Sequence, residues 1–299
     1  MSALFDDLEY AVKLTQVEQF VVPPTSMFDA AQGYWTERKQ AWLAEYPQLR
    51  APDARVDLGA GGFGHLAASA DDTSRKMAAV GDGATVFDPV LCEVAYSWWT
   101  RIGSVVFDPF AGGPVRGIVA AAMGRTYLGV DVRQEQVDHN TDVGIVGSGW
   151  KCGDAATFSP PESDFVFSCP PYGSLEQYGG GPRDLSSMPF DNFRAAYKTA
   201  VTRSVASLRP DRFATFVVGN YKERGVLRDL AGLTVEAFGE AGADYYGDII
   251  YTPPAGSAAL RAQSSFPKNR RPMPRHQYVL VFVKGDPKAA SRYVNGETL

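Results

Sequence analysis

The 299-residue sequence is poor in the residues from which small domains build covalent or metal frameworks, with three cysteines, Cys92, Cys152 and Cys169, and three histidines. The cysteine number is odd and no two form a CxxC pair, which excludes a disulfide framework and a zinc knuckle, so no metal is expected. No apolar run approaches the roughly 18 uninterrupted residues of a membrane helix. The acidic segment Met1–Glu9 lacks the charged-then-apolar order of a signal peptide. The expectation is a cytoplasmic chain without membrane contact. Internal repetition is also lacking, apart from a short echo between Val86-Phe87-Asp88-Pro89 and Val106-Phe107-Asp108-Pro109. That echo is too brief to mean duplication, and its two copies are expected to do different jobs. Positive charge is the last scarcity: 29 Lys and Arg against 34 Asp and Glu leave a net charge of −5. Non-specific coating of nucleic acid is thereby disfavoured, since it needs a broad basic surface to replace counterions. A local basic groove remains open, and Lys268, Arg270, Arg271, Arg275 and His276 cluster in one Pro-rich stretch, which also reads as an ordinary solvated loop.

What is present is ample core material: 45% hydrophobic residues, with 17 Phe and 14 Tyr, unlike a disordered chain. Two regions are expected. Residues 1–84 read as an N-terminal helical extension and irregular insertion packing on the core, and residues 85–299 as the main domain. In the first, Ser26–Leu49 reads as a helix with Ser26 as N-cap, and Pro52–Gly83 as an irregular, Gly- and Ala-rich insertion. In the second, Val90–Thr100 reads as a helix, followed by alternating strands and helices. The strands are Val105–Phe107, Tyr127–Val130, Phe165–Phe167, Ala214–Val218, Tyr246–Tyr251 and Gln277–Val283. The helices lie near Val115–Met123, Arg133–Asn140, Phe193–Leu208 and Gly225–Phe238. Such βαβ alternation implies a largely parallel sheet with helices on both faces and ligands at the carboxyl ends of the strands.

The loops at those ends carry the candidate chemistry. Asp108-Pro109-Phe110-Ala111-Gly112-Gly113 follows the first strand, and its small residues let the backbone approach a ligand closely. Alone, such a turn also fits nucleotide or flavin sites. The next strand ends at Asp131, about 20 residues past the glycines, where an acid accepts hydrogen bonds from the ribose hydroxyls of an adenosine-containing ligand; Asp131 also fits a helix cap. Asp154 follows a short third strand and suits either the adenine amino group or a turn.

Asp164–Ser168 is an apolar strand leading into Cys169-Pro170-Pro171-Tyr172. Two prolines fix a rigid extended exit, and the tyrosine ring can stack on a base flipped out of a duplex. With these elements the chain resembles the amino-type DNA methyltransferases, whose signature is Asp/Asn/Ser-Pro-Pro-aromatic paired with an upstream Asp-Pro-Phe-Ala-Gly loop. It is similar in particular to a phage and prophage branch, through Phe87–Leu91, Asp108–Gly113, Gly129–Gln136, Cys169–Tyr172 and His276–Gly285. The resemblance spans roughly residues 25–286. It implies a Rossmann-like, mostly parallel seven-stranded α/β methyltransferase fold, a catalytic domain over 85–299, S-adenosylmethionine as cofactor and double-stranded DNA as partner. It places Asp108, Gly112 and Asp131 at the cofactor and the Pro-Pro-Tyr loop at the target base; Pro109, Phe110, Ala111, Gly113 and Asp154 join them as cofactor-binding candidates.

The departure is Cys169. Cysteine accepts hydrogen bonds weakly, but as a thiolate it is a strong nucleophile. Methylation of carbon-5 of cytosine needs such a thiolate, because that carbon becomes nucleophilic only after a transient bond forms at carbon-6. Glu176 is the nearest acid to protonate the ring nitrogen. Two other readings stay open: Cys169 fills the polar position of an amino methyltransferase making 4-methylcytosine or 6-methyladenine, or it is an inert small residue. A methyltransferase of RNA or free nucleotides, and a binding module of the same fold, are further alternatives. Arg183 and Tyr178 after the motif, and Asn220, Lys222 and Arg224 after the strand Phe213–Val218, are candidate contacts to the base or a phosphate. With no separate recognition domain visible, DNA readout is assigned to 38–52, the insertion 51–83 and the loop 255–276, where Lys268, Arg270, Arg271 and Arg275 are the DNA-binding candidates.

Overall fold

The computed structural model describes residues 16–50, 86–173, 181–223, 225–254 and 258–297. Ten strands are described. In chain order with the helices they are β1 (Met27–Asp29), α1 (Gly33–Glu45), α2 (Pro89–Trp99), β2 (Val105–Asp108), α3 (Val115–Ala122), β3 (Thr126–Asp131), α4 (Gln134–Val143), β4 (Ser148–Cys152) and β5 (Phe165–Ser168). There follow α5 (Phe190–Ser207), β6 (Arg212–Val218), β7 (Tyr221–Glu223), β8 (Val226–Arg228), α6 (Leu230–Glu240), β9 (Asp244–Thr252), α7 (Ala258–Asn269), β10 (Gln277–Lys284) and α8 (Pro287–Val294).

Eight of these strands form one sheet in the order β1-β9-β10-β6-β5-β2-β3-β4. Every pairing in it is parallel except those of β10, which runs antiparallel between β6 and β9. The side chains of β10 alternate as strand geometry requires: Val279, Val281 and Val283 enter the core on one face, Leu280 and Phe282 the core on the other. Helices α1, α2, α3, α4 and α8 contribute to the first core, α5 and α6 to the second. Both faces are therefore covered, as a buried parallel sheet demands. Helix α2 is the most enclosed, with Pro89 to Tyr96 and Trp99 all buried, and each of its large apolar side chains is worth about 1.5–3 kcal/mol of burial. On the second face the Phe238 ring of α6 stacks on the Phe282 ring of β10 at 3.9 Å.

This is the Rossmann-like α/β arrangement expected, with differences at its margins. The sheet has eight strands rather than seven, because the stretch read as one helix over Ser26–Leu49 splits. Met27–Asp29 pairs in parallel with β9, and α1 starts only at Gly33, with Gln32 rather than Ser26 at the N-cap position. Pairing with a strand far away in sequence overrides the local helix signal there. The helix expected from Gly225 begins at Leu230, after a hairpin of β7 and β8, because Asp229 rather than Gly225 caps it, accepting from the Gly232 amide at 2.9 Å. Half of the basic stretch read as a loop is α7, which carries Pro267 inside it. The insertion 51–83 lies outside the described residues.

Helix α1 does not stand apart from the main domain. Trp35 is fully buried in the first core. Arg38 makes a two-toothed ion pair with Glu93 of α2, through Nε at 2.7 Å and Nη2 at 2.5 Å, and the Trp42 indole N–H donates to the same carboxylate at 2.7 Å. Among the described residues, no helix is long and apolar enough to cross a membrane.

Candidate active site

The chain winds outward from β2 through β3 to β4, then returns to lay β5 on the other side of β2. Where a sheet reverses in this way, the loops after the two adjacent strands part and leave a crevice at their carboxyl ends. The loop after β2 is Pro109–Gly113 and the loop after β5 is Cys169–Gly173, and between them opens a cleft of about 660 Å³. The antiparallel sense of β10 adds to it. The connection from β9 to β10 leaves and re-enters the sheet at that same edge, which brings Pro274, Arg275, His276 and Gln277 to the cleft.

One buried charge pair organises both loops. Asp108 is completely buried and accepts from Arg116 Nε at 2.6 Å, from the Tyr127 hydroxyl at 2.7 Å, from Ser168 Oγ at 2.5 Å and from the Phe110 amide at 3.1 Å. Arg116 in turn donates to the carbonyls of Phe110 and Ala111, both at 2.7 Å. Burial opposes the Arg116 charge, but the Asp108 carboxylate outweighs it and its pKa is raised. The same burial, with Asp108 beside it, keeps the Tyr127 phenol protonated, its pKa well above the ordinary value. Asp108 thus lies beneath the cleft and not on its wall, which corrects its expected place at the cofactor. Ala111 is likewise buried under the loop. Pro109, Phe110, Gly112 and Gly113 line the cleft.

Asp131 lines the cleft at the end of β3. Its Oδ2 accepts from the Gly112 amide at 3.1 Å and its Oδ1 from the Arg133 amide at 2.9 Å, with the Arg133 guanidinium 3.5 Å away. It therefore ties the first loop to the second while standing at the cleft. The turn at Gly112 has φ +50°, left-handed backbone that suits glycine. Asp154 lines the cleft too and caps its own turn, accepting from the Ala156 amide at 2.8 Å.

On the opposite wall stand Cys169, Pro170, Pro171 and Tyr172. Cys169 is half-buried, leaning on the first core, with its Sγ 3.7 Å from the Tyr172 hydroxyl. The residue before it is Ser168, so the Asp108 hub fixes where the Cys169 loop leaves the sheet. Tyr172 is held by Gln277, whose Nε2 donates to the phenol oxygen at 2.6 Å. Gly173 then turns with φ +50°, and a Cβ there would lie 2.1 Å from the Tyr221 hydroxyl oxygen, so only glycine fits this turn unshifted. Glu176 and Tyr178 lie outside the described residues, as does Arg224.

Several cleft residues were not singled out from sequence. Asp88 caps α2, accepting from the Val90 amide at 2.9 Å, and its Oδ2 gathers Lys39 Nζ at 3.0 Å, the Tyr251 hydroxyl at 3.2 Å and the Trp35 indole N–H at 3.3 Å. Burial first, then the Asp88 charge, raises the Tyr251 pKa. Lys39 brings α1 into the wall. Phe87 packs its ring 4.6 Å from the Arg116 guanidinium, a cation–π contact. The Phe-Asp-Pro echo was the available signal, and its two copies do differ: Asp88 lines the cleft and Asp108 supports it from below.

The basic candidates divide. Arg275 reaches the cleft, as does Arg183. Lys268, Arg270 and Arg271 are exposed outside it. Asn220 accepts from the Ala231 amide in the first turn of α6 at 3.0 Å, and Lys222 is exposed on β7. Cys92 is buried in α2, where burial pushes its thiol pKa up, and Cys152 is exposed at the end of β4. Among the described residues, no group of His, Cys, Asp and Glu is placed to hold a metal ion.

No protein-family model and no curated protein matches the chain. Solved structures similar to it include TrmN from Thermus thermophilus, at 15% identity and a TM-score of 0.45 over 70% of this chain and 52% of that one. A TehB-like SAM-dependent methyltransferase from Corynebacterium glutamicum is similar at 17% identity and a TM-score of 0.44, covering 71% of this chain and 94% of the other. The N-methyltransferase NodS from Bradyrhizobium japonicum is similar at 12% identity and a TM-score of 0.43, covering 66% and 93%. None of them assigns a role to a residue of this chain.

Proposed function

We propose that this chain is an S-adenosylmethionine-dependent methyltransferase acting on a base of double-stranded DNA, with carbon-5 of cytosine as the target and Cys169 as the nucleophile. The observation that carries the reading is that Cys169 and Tyr172 face, across one cleft, the Gly112–Asp131 linkage and Asp154. A ribose would meet Asp131 and an adenine the Asp154 turn, while the glycine loop lets the backbone close on the rest of the cofactor. The cofactor supplies an electrophilic methyl group. Tyr172 would stack on a base rotated out of the duplex. Cys169, as thiolate, would add to carbon-6, raise the electron density at carbon-5 for the methyl transfer, and leave again when the carbon-5 proton is removed. Arg116, beneath the cleft, interacts electrostatically with Cys169. Glu176 is the proposed acid at the ring nitrogen. Lys268, Arg270, Arg271 and Arg275 are proposed to meet the phosphates.

A second reading, transfer to an exocyclic amino group, is favoured by one observation: Cys169 packs against the apolar core, as an inert lining residue would. Mass spectrometry of nucleosides from duplex DNA incubated with the protein and S-adenosylmethionine separates the two. The expected product is 5-methylcytosine, and Cys169→Ser should lower its formation by about a hundredfold or more. 4-Methylcytosine or 6-methyladenine, with activity retained in Cys169→Ser, would establish the amino reading. No methylated DNA base would redirect the search to RNA and free nucleotides.

A further inference from the structure

Strand β10 carries a series of core side chains that turns polar at the cleft. Val279, Val281 and Val283 share one face of the strand and enter the first core, and the two-residue alternation puts Gln277 on that same face, one step nearer the cleft. Cys169 leans on the same core from the loop after β5. Gln277 pairs in register with Tyr251, another cleft residue, and itself lines the cleft. A polar side chain that is half-buried in such a place needs a hydrogen-bond partner. Among the described residues that partner is Tyr172, whose phenol oxygen accepts from Gln277 Nε2 at 2.6 Å. The same oxygen lies 3.7 Å from Cys169 Sγ, so the carboxamide and the sulfur flank one atom.

One hydrogen bond leaves most of a carboxamide unused, since it holds two N–H donors and an oxygen with two acceptor positions. With one N–H spent on Tyr172, the other N–H and Oε1 stand side by side, a donor next to an acceptor. The complementary edge is a ring nitrogen that accepts, beside an exocyclic amino group that donates. Cytosine carries that edge at N3 and N4 and adenine at N1 and N6, whereas guanine and thymine present a ring N–H beside a carbonyl. We propose that Gln277 reads the Watson–Crick edge of the flipped base, its Nε2–H donating to the ring nitrogen and its Oε1 accepting from the amino group, so that the cleft takes an amino-bearing base. This deepens the DNA-base reading above and rests on it. In cytosine, N3 and carbon-6 lie on opposite sides of one six-membered ring, which matches a carboxamide and a sulfur placed on either side of the Tyr172 hydroxyl. Gln277 thus holds the stacking ring and reads the base stacked on it with a single group.

The test separates reading from holding. Tyr172→Phe removes the Gln277–Tyr172 hydrogen bond and leaves the carboxamide in place, whereas Gln277→Met, of similar length, removes both. The full chains are compared by transfer of tritiated methyl from S-adenosylmethionine to sheared duplex DNA, as kcat/KM for the duplex, with melting temperature and S-adenosylmethionine affinity measured alongside. Gln277→Met should fall at least about tenfold below Tyr172→Phe, the weight of a bidentate contact to a base, and by a like factor when made in the Tyr172→Phe chain. Melting temperature and cofactor affinity should not change. Independently of any variant, mass spectrometry of nucleosides from DNA treated with the unaltered chain should show a methylated cytosine or adenine. If Gln277→Met loses no more than Tyr172→Phe and adds nothing to it, the carboxamide only holds Tyr172 and the inference falls. A methylated guanine or thymine would also overturn it, and would leave the DNA-base reading standing. Absence of transfer to duplex DNA by the unaltered chain would overturn that reading and the inference with it.

Discussion

The two walls of the cleft are built differently. The wall after β2 and β3 is local: Asp108, Phe110, Gly112, Arg116, Tyr127 and Asp131 lie within one βαβ unit, and their polar groups satisfy one another through the Asp108–Arg116 pair. The wall after β5 is assembled from afar. Its Tyr172 is held by Gln277, 105 residues on, its Gly173 is turned over Tyr221, and Asp88 and Lys39 face the cleft from the N-terminal part of the chain. The first wall is a rigid platform suited to an invariant ligand. The second is a composite in which each contributor can be exchanged without remaking the rest, which suits a target that varies.

The strongest way to break this contrast is Arg116→Met. Asp108 would keep Tyr127, Ser168 and the Phe110 amide but lose its cation, and a buried charge left uncompensated costs about 3–5 kcal/mol. Urea unfolding should show that loss. Because Ser168 shares the carboxylate, S-adenosylmethionine affinity and the Cys169 loop should fail together. A pair replacement, Arg116→Met with Asp108→Leu, should regain part of the stability, since removing both charges of a buried pair is often close to neutral. Loss of stability with cofactor affinity intact would show that the hub serves the core and not the first wall.

The same contrast explains what was legible in the sequence. The first wall follows from contiguous motif residues, and strands β2, β3, β5, β6 and β10 fall where apolar patterning puts them, within a residue or two. Asp108 was misplaced because a motif gives a residue type and not the direction of its side chain; Arg116, the second residue of α3, claims it first. The second wall was read only at Cys169–Tyr172. Lys39 carries no local mark of function, Asp88 carries only the short Phe-Asp-Pro echo, and Gln277 looks like the first residue of an ordinary strand until the antiparallel sense of β10 is known. The hairpin was hidden because Gly225 followed by apolar residues resembles a helix start. Helix α7 was hidden because Pro267 sits inside it.

A smaller effect tests how the second wall is anchored at its far end. Asp164, just before β5, accepts from the Val105 amide at 2.9 Å, from Arg209 at 2.8 Å and from Arg212 at 3.3 Å. Burial raises its pKa, but these donors outweigh burial and hold it below the ordinary 3.8. A depressed carboxyl contributes stability that is present above its unfolded pKa and is lost as pH falls through the folded value. Asp164→Asn should therefore be about 1–3 kcal/mol less stable at pH 7, and the gap should close below about pH 3.8 as the native carboxyl protonates. Denaturation curves at neutral and acid pH measure it. A gap that persisted in acid would mean that packing, and not charge, anchors β5.

The smallest effect concerns the hinge of the second wall. Tyr172→Phe keeps the ring that would stack on a base and removes only the hydroxyl that joins Gln277 Nε2 to the neighbourhood of Cys169 Sγ. One neutral hydrogen bond at a half-buried site is worth about 0.5–1.5 kcal/mol, so the methyl-transfer rate should fall by no more than about tenfold, with S-adenosylmethionine affinity unchanged because Asp131 and Gly112 are untouched. Tyr172→Leu, which loses the ring as well, should cost more in rate, since base–aromatic stacking adds about 1–3 kcal/mol. If the phenylalanine variant instead lost as much as the leucine variant, the phenol would be acting on the Cys169 thiol directly, and the second wall would be as tightly coupled as the first.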